Sequence, residues 1–192
     1  SILLRSWSLR QTRRGSNPVH RAAYMLGLFT GLRRSEIESL EWSRIDDAIY
    51  LPTTKSGRAF WLPLTEVHHP ILEPMKGLDD RWVFPADSMS GHIAAWDHDD
   101  VPGTLHSLRH TFATVAVEAG VPEEVVGRLL NHASKTITGQ RYVRPNLDFM
   151  RAAMKVVVEE LERRLAPEPH APAITFAISS TGTGDNLSSA LA

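Results

Sequence analysis

The spacing of apolar residues changes twice along this chain, and that change constrains the fold more than any other feature of the sequence. Apolar residues recur at helical spacing from Asn17 to Phe29 and again over 106–165. Between these regions, AIYLP and RAFWLPL have the two-residue period of strands and are joined by the turn-rich TTKSG. The pattern predicts a mainly helical α+β domain that contains one small antiparallel β-sheet.

Local signals predict where the elements begin and end. Gly31 should end the first helix, and Ser35 with Glu38 has the spacing of a capping box for the second. A short helix over 65–75 and a brief strand in Trp82-Val83-Phe84 should follow, and then a polar loop over 87–104. Three helices are expected after that loop, at His106–Ala119, Pro122–Leu130 and Asn146–Leu165.

The composition at the two ends differs from that of the middle. We therefore expect one folded domain over 17–165, preceded by a linker at 1–16. Residues 166–192 are rich in Pro, Ala, Ser, Thr and Gly, and we expect them to form a disordered tail.

The absence of cysteine among the 192 residues excludes several classes of protein. A disulfide scaffold, a thiol nucleophile, a thiolate zinc site and an iron–sulfur cluster all require cysteine. The sequence also has no apolar run approaching the roughly 18 residues of a spanning helix, and its start has no signal-peptide pattern. We expect a soluble, cytoplasmic protein.

The net charge of −1 argues at first against a nucleic-acid partner. The charges are unevenly distributed, however, since residues 1–34 contain seven arginines and no acid, while residues 65–104 contain eight acids and two bases. A solvated face is the ordinary explanation of such a run. The positions of the remaining polar residues therefore have to decide between the two interpretations.

Six residues on different predicted elements have the chemistry needed to cleave a phosphodiester. Two guanidinium groups can hold its non-bridging oxygens and stabilise the charge of a pentavalent transition state. A tyrosine hydroxyl can attack phosphorus, and an acid can protonate the leaving oxygen. The candidates are Arg33, Lys55, His106, Arg109, His132 and Tyr142. This chemistry requires no metal ion and no cofactor.

Four motifs in order along the chain resemble the catalytic domain of tyrosine recombinases, the phage integrase family. They are TGLRRSEIESLEW, TKSGRAFWLPL, LHSLRHTFAT and LLNHASKTITGQRYV, and the resemblance extends from Pro18 to Pro145. It implies the fold of that domain and an activity in site-specific DNA recombination, with cleavage and rejoining through a 3′-phosphotyrosine. Double-stranded DNA is the implied partner.

The resemblance also implies a role for each candidate. Arg33, rather than its neighbour Arg34, and Arg109 clamp the phosphate, and Tyr142 is the nucleophile. Lys55 is the general acid for the 5′-oxygen, His106 the general base or a phosphate ligand, and His132 a hydrogen-bond donor to the phosphate. Glu36 supports the site without touching DNA.

The same resemblance bears on assembly. Members of the family carry a helical core-binding domain before this region, so we expect the chain to be the catalytic part of a longer integrase. Self-association as a tetramer on DNA is expected through the region after Tyr142, and helix 146–165 can pack on its own chain or on a neighbour.

Three other interpretations compete with this one. A type IB topoisomerase or telomere resolvase uses a similar set of residues, and a DNA-binding relative without activity is a second possibility. The third is a metallohydrolase, with zinc bound either by His106 and His110 or by histidines of the acidic middle, which are His68, His69, His92 and His98. The zinc interpretation lacks the usual glutamate between the two helical histidines, and Arg109 would repel a cation.

Overall fold

The computed structural model describes residues 17–53, 59–94, 104–132 and 147–166. The predictions for the linker at 1–16, for the tail beyond residue 166, and for Lys55, His98 and Tyr142 lie outside these residues. Within them the chain is mainly helical with one two-stranded antiparallel sheet, and this confirms the predicted fold class.

The first helix, α1, spans Pro18–Thr30 and forms the centre of the domain. Asn17 caps its start, where its Oδ1 accepts a hydrogen bond from the backbone N–H of Val19 at 2.9 Å. Gly31 ends the helix in the left-handed conformation, with φ of 64°. Both ends lie where the sequence predicts them.

The second helix, α2, spans Arg34–Glu38, and its predicted cap is wrong. Arg33, not Ser35, lies at the N-cap, and the Glu36 carboxylate accepts a hydrogen bond from the Arg33 N–H at 2.8 Å. Glu36 supplies the acceptor two residues before Glu38 could, so the helix begins two residues earlier and Ser35 lies inside it.

A β-hairpin follows, as predicted. Strand β1 (Ala48–Leu51) pairs with β2 (Phe60–Pro63) in antiparallel register, with Ala48 opposite Pro63 and Leu51 opposite Phe60. The strand predicted at Trp82-Val83-Phe84 is not formed, because Trp82 makes only an isolated bridge to Glu41. Asp79 Oδ1 accepts from the N–H groups of Arg81 and Trp82, which begins a turn rather than a ladder.

The remaining elements agree with the predicted helices to within a few residues. Helix α3 spans His69–Leu72 and continues as a 3₁₀ turn at Glu73–Met75. Helices α4, α5 and α6 span Leu105–Glu118, Glu123–Leu129 and Leu147–Leu165. Pro122 lies at the N-cap of α5 in an extended conformation rather than in its first turn.

The core lies between α1, α4, α6 and the hairpin. The last helix contributes one apolar face to it, through Met150, Met154, Val157, Val158 and Leu161, all at most 2% exposed. Helix α6 packs against α4 and β2 of its own chain. Within the described residues, no helix combines the length and the apolar character needed to cross a membrane.

Candidate active site

The ends of two helices approach each other closely on one side of the core. A Cβ atom placed on Gly31, after α1, would lie 2.6 Å from Cδ2 of Leu130, the residue that ends α5, and 2.9 Å from Cδ1 of Phe112. A Cβ at this position would therefore press against both side chains, and the left-handed backbone also favours glycine. The carbonyl-bearing ends of α1 and α5 meet here.

Arg109 of α4 joins these two ends. Its Nη1 donates to the carbonyl oxygen of Gly31, and its Nη2 donates to that of Leu130 at 2.5 Å. A cation is stabilised at this position because the C-terminal end of a helix carries partial negative charge. The guanidinium group is thus fixed by the backbone before any substrate binds.

Arg33 lies next to this junction and is held by a different set of groups. Its Nη1 is 3.0 Å from Oε1 of Glu36, and its Nη2 donates to the carbonyl oxygen of Asn131 at 3.3 Å. Its side chain is 25% exposed, whereas that of Glu36 is 9% exposed. Arg34 makes other bonds, to Glu38 and to the carbonyl oxygen of Ala94. Arg33, rather than Arg34, is therefore the arginine directed at the junction.

The two arginines are close enough to influence each other's protonation. Burial, and then the positive charge of Arg33, lower the pKa of Arg109 to about 10, while the Glu36 carboxylate raises it. One buried carboxylate thus stands beside two guanidinium groups. This imbalance favours an anion at the junction, and each planar fork can bind two phosphate oxygens.

His132 completes this cluster. Partial burial, followed by the charges of Arg109 and Arg33, lowers its pKa below the ordinary value of 6.5. The imidazole is consequently neutral at pH 7, and it can donate one N–H to an anion without adding a third positive charge. Arg33, Glu36, Arg109 and His132 therefore lie together, although they come from three separate regions of the sequence.

Asn131, which the sequence analysis did not select, shapes the same site. It has φ of 49° and closes α5, with its own N–H bonded to the carbonyl oxygen of Arg128 at 3.0 Å and the His132 N–H bonded to that of Gly127 at 2.8 Å. Its Nδ2 is buried and has no hydrogen-bond partner within the described residues. Asparagine tolerates the left-handed region better than most residues, so Asn-His after an apolar helix was a usable signal.

His106 lies in the first turn of α4 and its side chain is exposed. It pairs with His110, one turn further on, and the two Nε2 atoms are 3.0 Å apart. The rings meet edge to face, with centroids separated by 4.5 Å. Lys55 and Tyr142 lie outside the described residues, so their roles stay predictions.

Two histidines of the acidic middle, His68 and His92, are engaged in the fold. His68 is fully buried, and its Nε2 lies 3.1 Å from the carbonyl oxygen of Phe29 near the end of α1. Its Nδ1 accepts from the Thr65 N–H at 3.0 Å. His92 packs edge to face against Trp82. Nowhere in the described ranges do three or more His, Asp or Glu side chains gather as metal ligands would.

Comparison with known proteins identifies the family to which the chain is similar. The sequence model described as the phage integrase family matches residues 9–148. The prophage integrase IntF of Escherichia coli is 30% identical over 166 residues, which cover 77% of this chain and 35% of that protein. The tyrosine recombinase XerC of Pelobacter propionicus is 36% identical over 83 residues, which cover 43% of this chain and 25% of that protein.

A solved structure is similar as well. The integrase from mycobacterium phage Brujita has a TM-score of 0.59 and 23% identity, over 83% of this chain and 61% of that one. The chain spans 35% of the length of IntF, the relative with which it shares 166 aligned residues. With the family model matching well over half of its residues, the chain belongs to the phage integrase family.

Proposed function

We propose that residues 17–165 form the catalytic domain of a tyrosine recombinase, which cleaves and rejoins double-stranded DNA during site-specific recombination. The observation that carries this proposal is the fixed pair of arginines beside His132. Arg109 is held by two helix ends and Arg33 by Glu36 and Asn131, with a surplus of positive charge at their junction. Such a junction suits a phosphodiester.

The two arginines bind and polarise the phosphate. A guanidinium group has five N–H donors, and each of these two directs its Nη1 and Nη2 at groups of the protein. The remaining donors of each fork are the ones that take the non-bridging oxygens. Because the forks are already oriented, little reorganisation is needed as charge develops in the transition state.

The covalent step transfers the phosphoryl group from DNA to the protein. The Oη of Tyr142 attacks phosphorus, its proton passes to His106, and the bond from phosphorus to the 5′-oxygen breaks. Lys55 donates a proton to that oxygen, and His132 donates a hydrogen bond to the phosphate. A 5′-hydroxyl from another strand then reverses these steps and releases Tyr142. No cofactor and no metal ion take part.

The finer points of the proposal follow from the family. The enzyme acts on DNA in the cytoplasm of a bacterium, encoded by the bacterium or by a phage, and it assembles as a tetramer through the region after Tyr142. Residues 1–16 link the domain to a preceding DNA-binding region, and residues 166–192 form its tail.

Replacing the nucleophile tests the proposal directly. Tyr142→Phe removes only the attacking oxygen, so it should abolish covalent capture of a nicked suicide DNA substrate while leaving binding of that DNA unchanged. Capture is measured as a shifted band on a denaturing gel, and binding by fluorescence anisotropy.

Tyr50→Phe is the matched control, since Tyr50 lies on β1 beside Trp61 and away from the cluster, with ring centroids 4.8 Å apart. This variant should retain capture. If Tyr142→Phe still forms the covalent adduct, Tyr142 is not the nucleophile.

A further inference from the structure

His106 and His110 form a pair of exposed imidazoles on one face of α4. They are four residues apart, so a single turn of helix places both side chains on the same side. Their Nε2 atoms lie 3.0 Å apart, and the rings are nearly perpendicular, at 89°. Two ring nitrogens thus converge at the protein surface within hydrogen-bond distance, and a metal ion would replace the proton that they share.

This separation matches that of two neighbouring ligands on one metal ion. A metal–imidazole bond is about 2.0–2.1 Å long, and two such bonds at a right angle bring their nitrogens to about 2.9 Å apart. Imidazole is a ligand that Zn²⁺, Ni²⁺ and Cu²⁺ all accept. Because the helix fixes both Cα positions, a chelate needs only small changes of side-chain torsion.

The objection that Arg109 would repel a cation is weakened by the structure. The guanidinium group is engaged by the carbonyl oxygens of Gly31 and Leu130, whose partial negative charge opposes its positive charge. In the described part of the chain no third His, Asp or Glu joins the two histidines. Water would complete the coordination, so the ion would be bound reversibly rather than as a permanent structural metal.

We propose that His106 and His110 form a bidentate site for a divalent transition-metal ion, and that this ion inhibits DNA cleavage. Coordination occupies the Nε2 of His106, which can then no longer accept the proton of the attacking tyrosine or bind the phosphate. The inhibition rests on the proposed function, whereas the metal site does not. The metal is therefore an inhibitor here and not a cofactor.

Binding is tested with Ni²⁺ alone on the 192-residue chain, by isothermal titration calorimetry. The wild type should show a site that His110→Ala weakens by a factor of about ten or more, because one of two ligands is lost. His69→Ala is the matched control, since His69 is also an exposed helical histidine, and it should leave this site intact. Circular dichroism checks that the variants are folded. Equal Ni²⁺ affinity in wild type and His110→Ala overturns the proposed site.

Inhibition is tested by covalent capture of a suicide substrate at increasing Ni²⁺. Capture by the wild type should fall about tenfold or more at saturation and return when EDTA is added, while capture by His110→Ala, measured relative to its own metal-free rate, should resist Ni²⁺. Ni²⁺ binding at the pair without loss of capture overturns the inhibitory role. Absence of capture by metal-free wild type overturns the proposed function instead, and calorimetry still decides whether the metal site exists.

Discussion

The two arginines of the candidate site bond to different kinds of group within the fold. Arg109 donates to two backbone carbonyls at the ends of α1 and α5. Arg33 donates to the Glu36 carboxylate and to one carbonyl, that of Asn131. Arg109 therefore joins the ends of two helices, whereas Arg33 joins the start of α2 to the end of α5 and pairs with the nearly buried Glu36.

Truncating each arginine should separate these contributions. Arg33→Ala and Arg109→Ala should each slow cleavage by about 10²–10³-fold, as expected when one donor to the transition state is removed. Arg109→Ala should in addition lower the free energy of unfolding by about 1–3 kcal/mol, because two carbonyl groups lose their partner. Single-turnover capture gives the rates, and urea unfolding gives the free energies.

Two outcomes would contradict this account. An arginine whose removal leaves the cleavage rate unchanged does not belong to the site. If both variants unfold at the wild-type urea concentration, the bonds from Arg109 to the helix ends contribute nothing to stability.

The identities of the candidate residues were better predicted by the sequence than their surroundings. Arg33, Arg109 and His132 were selected from ordered motifs, and they do lie together. Asn131 was missed because its importance depends on a left-handed backbone and on a bond from Arg33, 98 residues away. His68 was considered only as a metal ligand, because its partner Phe29 lies 39 residues earlier in the chain.

Among the elements, the meeting of α1 and α5 depends on the residue between α1 and α2. Gly31 has a left-handed backbone and lies in contact with Leu130 and Phe112. Gly120, after α4, also has a left-handed backbone, with φ of 85°, but a Cβ placed there meets no atom within 4 Å. Replacing either glycine would therefore strain the backbone, but only at Gly31 would the new Cβ also press against neighbouring side chains.

Alanine at each position should reveal this difference in urea unfolding. Gly120→Ala should lower the free energy of unfolding by about 1–2 kcal/mol, the strain of a left-handed L-residue. Gly31→Ala should lower it by about 1–3 kcal/mol more, through overpacking against Leu130 and Phe112. It should also slow cleavage, since the carbonyl of Gly31 holds Arg109. Equal destabilisation by the two substitutions would show that the close contact is unimportant.

Element boundaries were predicted where one local signal acts alone. Asn17 and Gly31 bracket α1, and the turn-rich sequence TTKSG separates the two paired strands. Where two signals compete, the prediction failed. Glu36 reaches the Arg33 N–H before Glu38 can act as a cap, and Asp79 takes the backbone N–H groups that a strand at Trp82 would need.

For the molecule as a whole, acid stability should depend on the buried His68. Burial is the main cause that lowers its pKa below 6.5, and its hydrogen bonds to Phe29 and Thr65 only partly oppose this. Below pH 6.5 the unfolded chain therefore binds a proton that the folded chain does not. The contribution of neutral His68 to the free energy of unfolding is complete above pH 6.5. As the pH falls from 6.5 towards the lowered pKa, the free energy of unfolding decreases by up to about 1.4 kcal/mol per pH unit.

Urea unfolding between pH 5 and pH 8 measures this slope. Below pH 6.5 it should be steeper in the wild type than in His68→Gln, which removes the titrating group. His132 has its pKa shifted in the same direction and is present in both proteins, so the difference between the slopes isolates His68. Parallel curves would mean that His68 does not couple folding to protonation.

The order of helix, hairpin and helix was predictable for the whole domain because each long element has its own apolar period. Two global features were not. The sequence left open whether the last helix packs in cis, since an apolar face fits equally well on its own chain or on a neighbour, and the fold places it on α4 and β2 of its own chain. The net charge of −1 likewise gave no indication that Arg33 and Arg109 would be neighbours.

The bonds from Arg109 to the two helix ends have a consequence for how this family can lose its activity over generations. A substitution at Tyr142 or Lys55 would silence the chemistry and leave those bonds intact, whereas a substitution at Arg109 would weaken the protein that carries it. Inactive descendants that still fold should therefore keep this arginine and the glycine it contacts after the nucleophile has gone. A retained Arg109 is thus evidence of an intact scaffold, and in the proposed mechanism Tyr142 and Lys55 distinguish a working enzyme from its remnant.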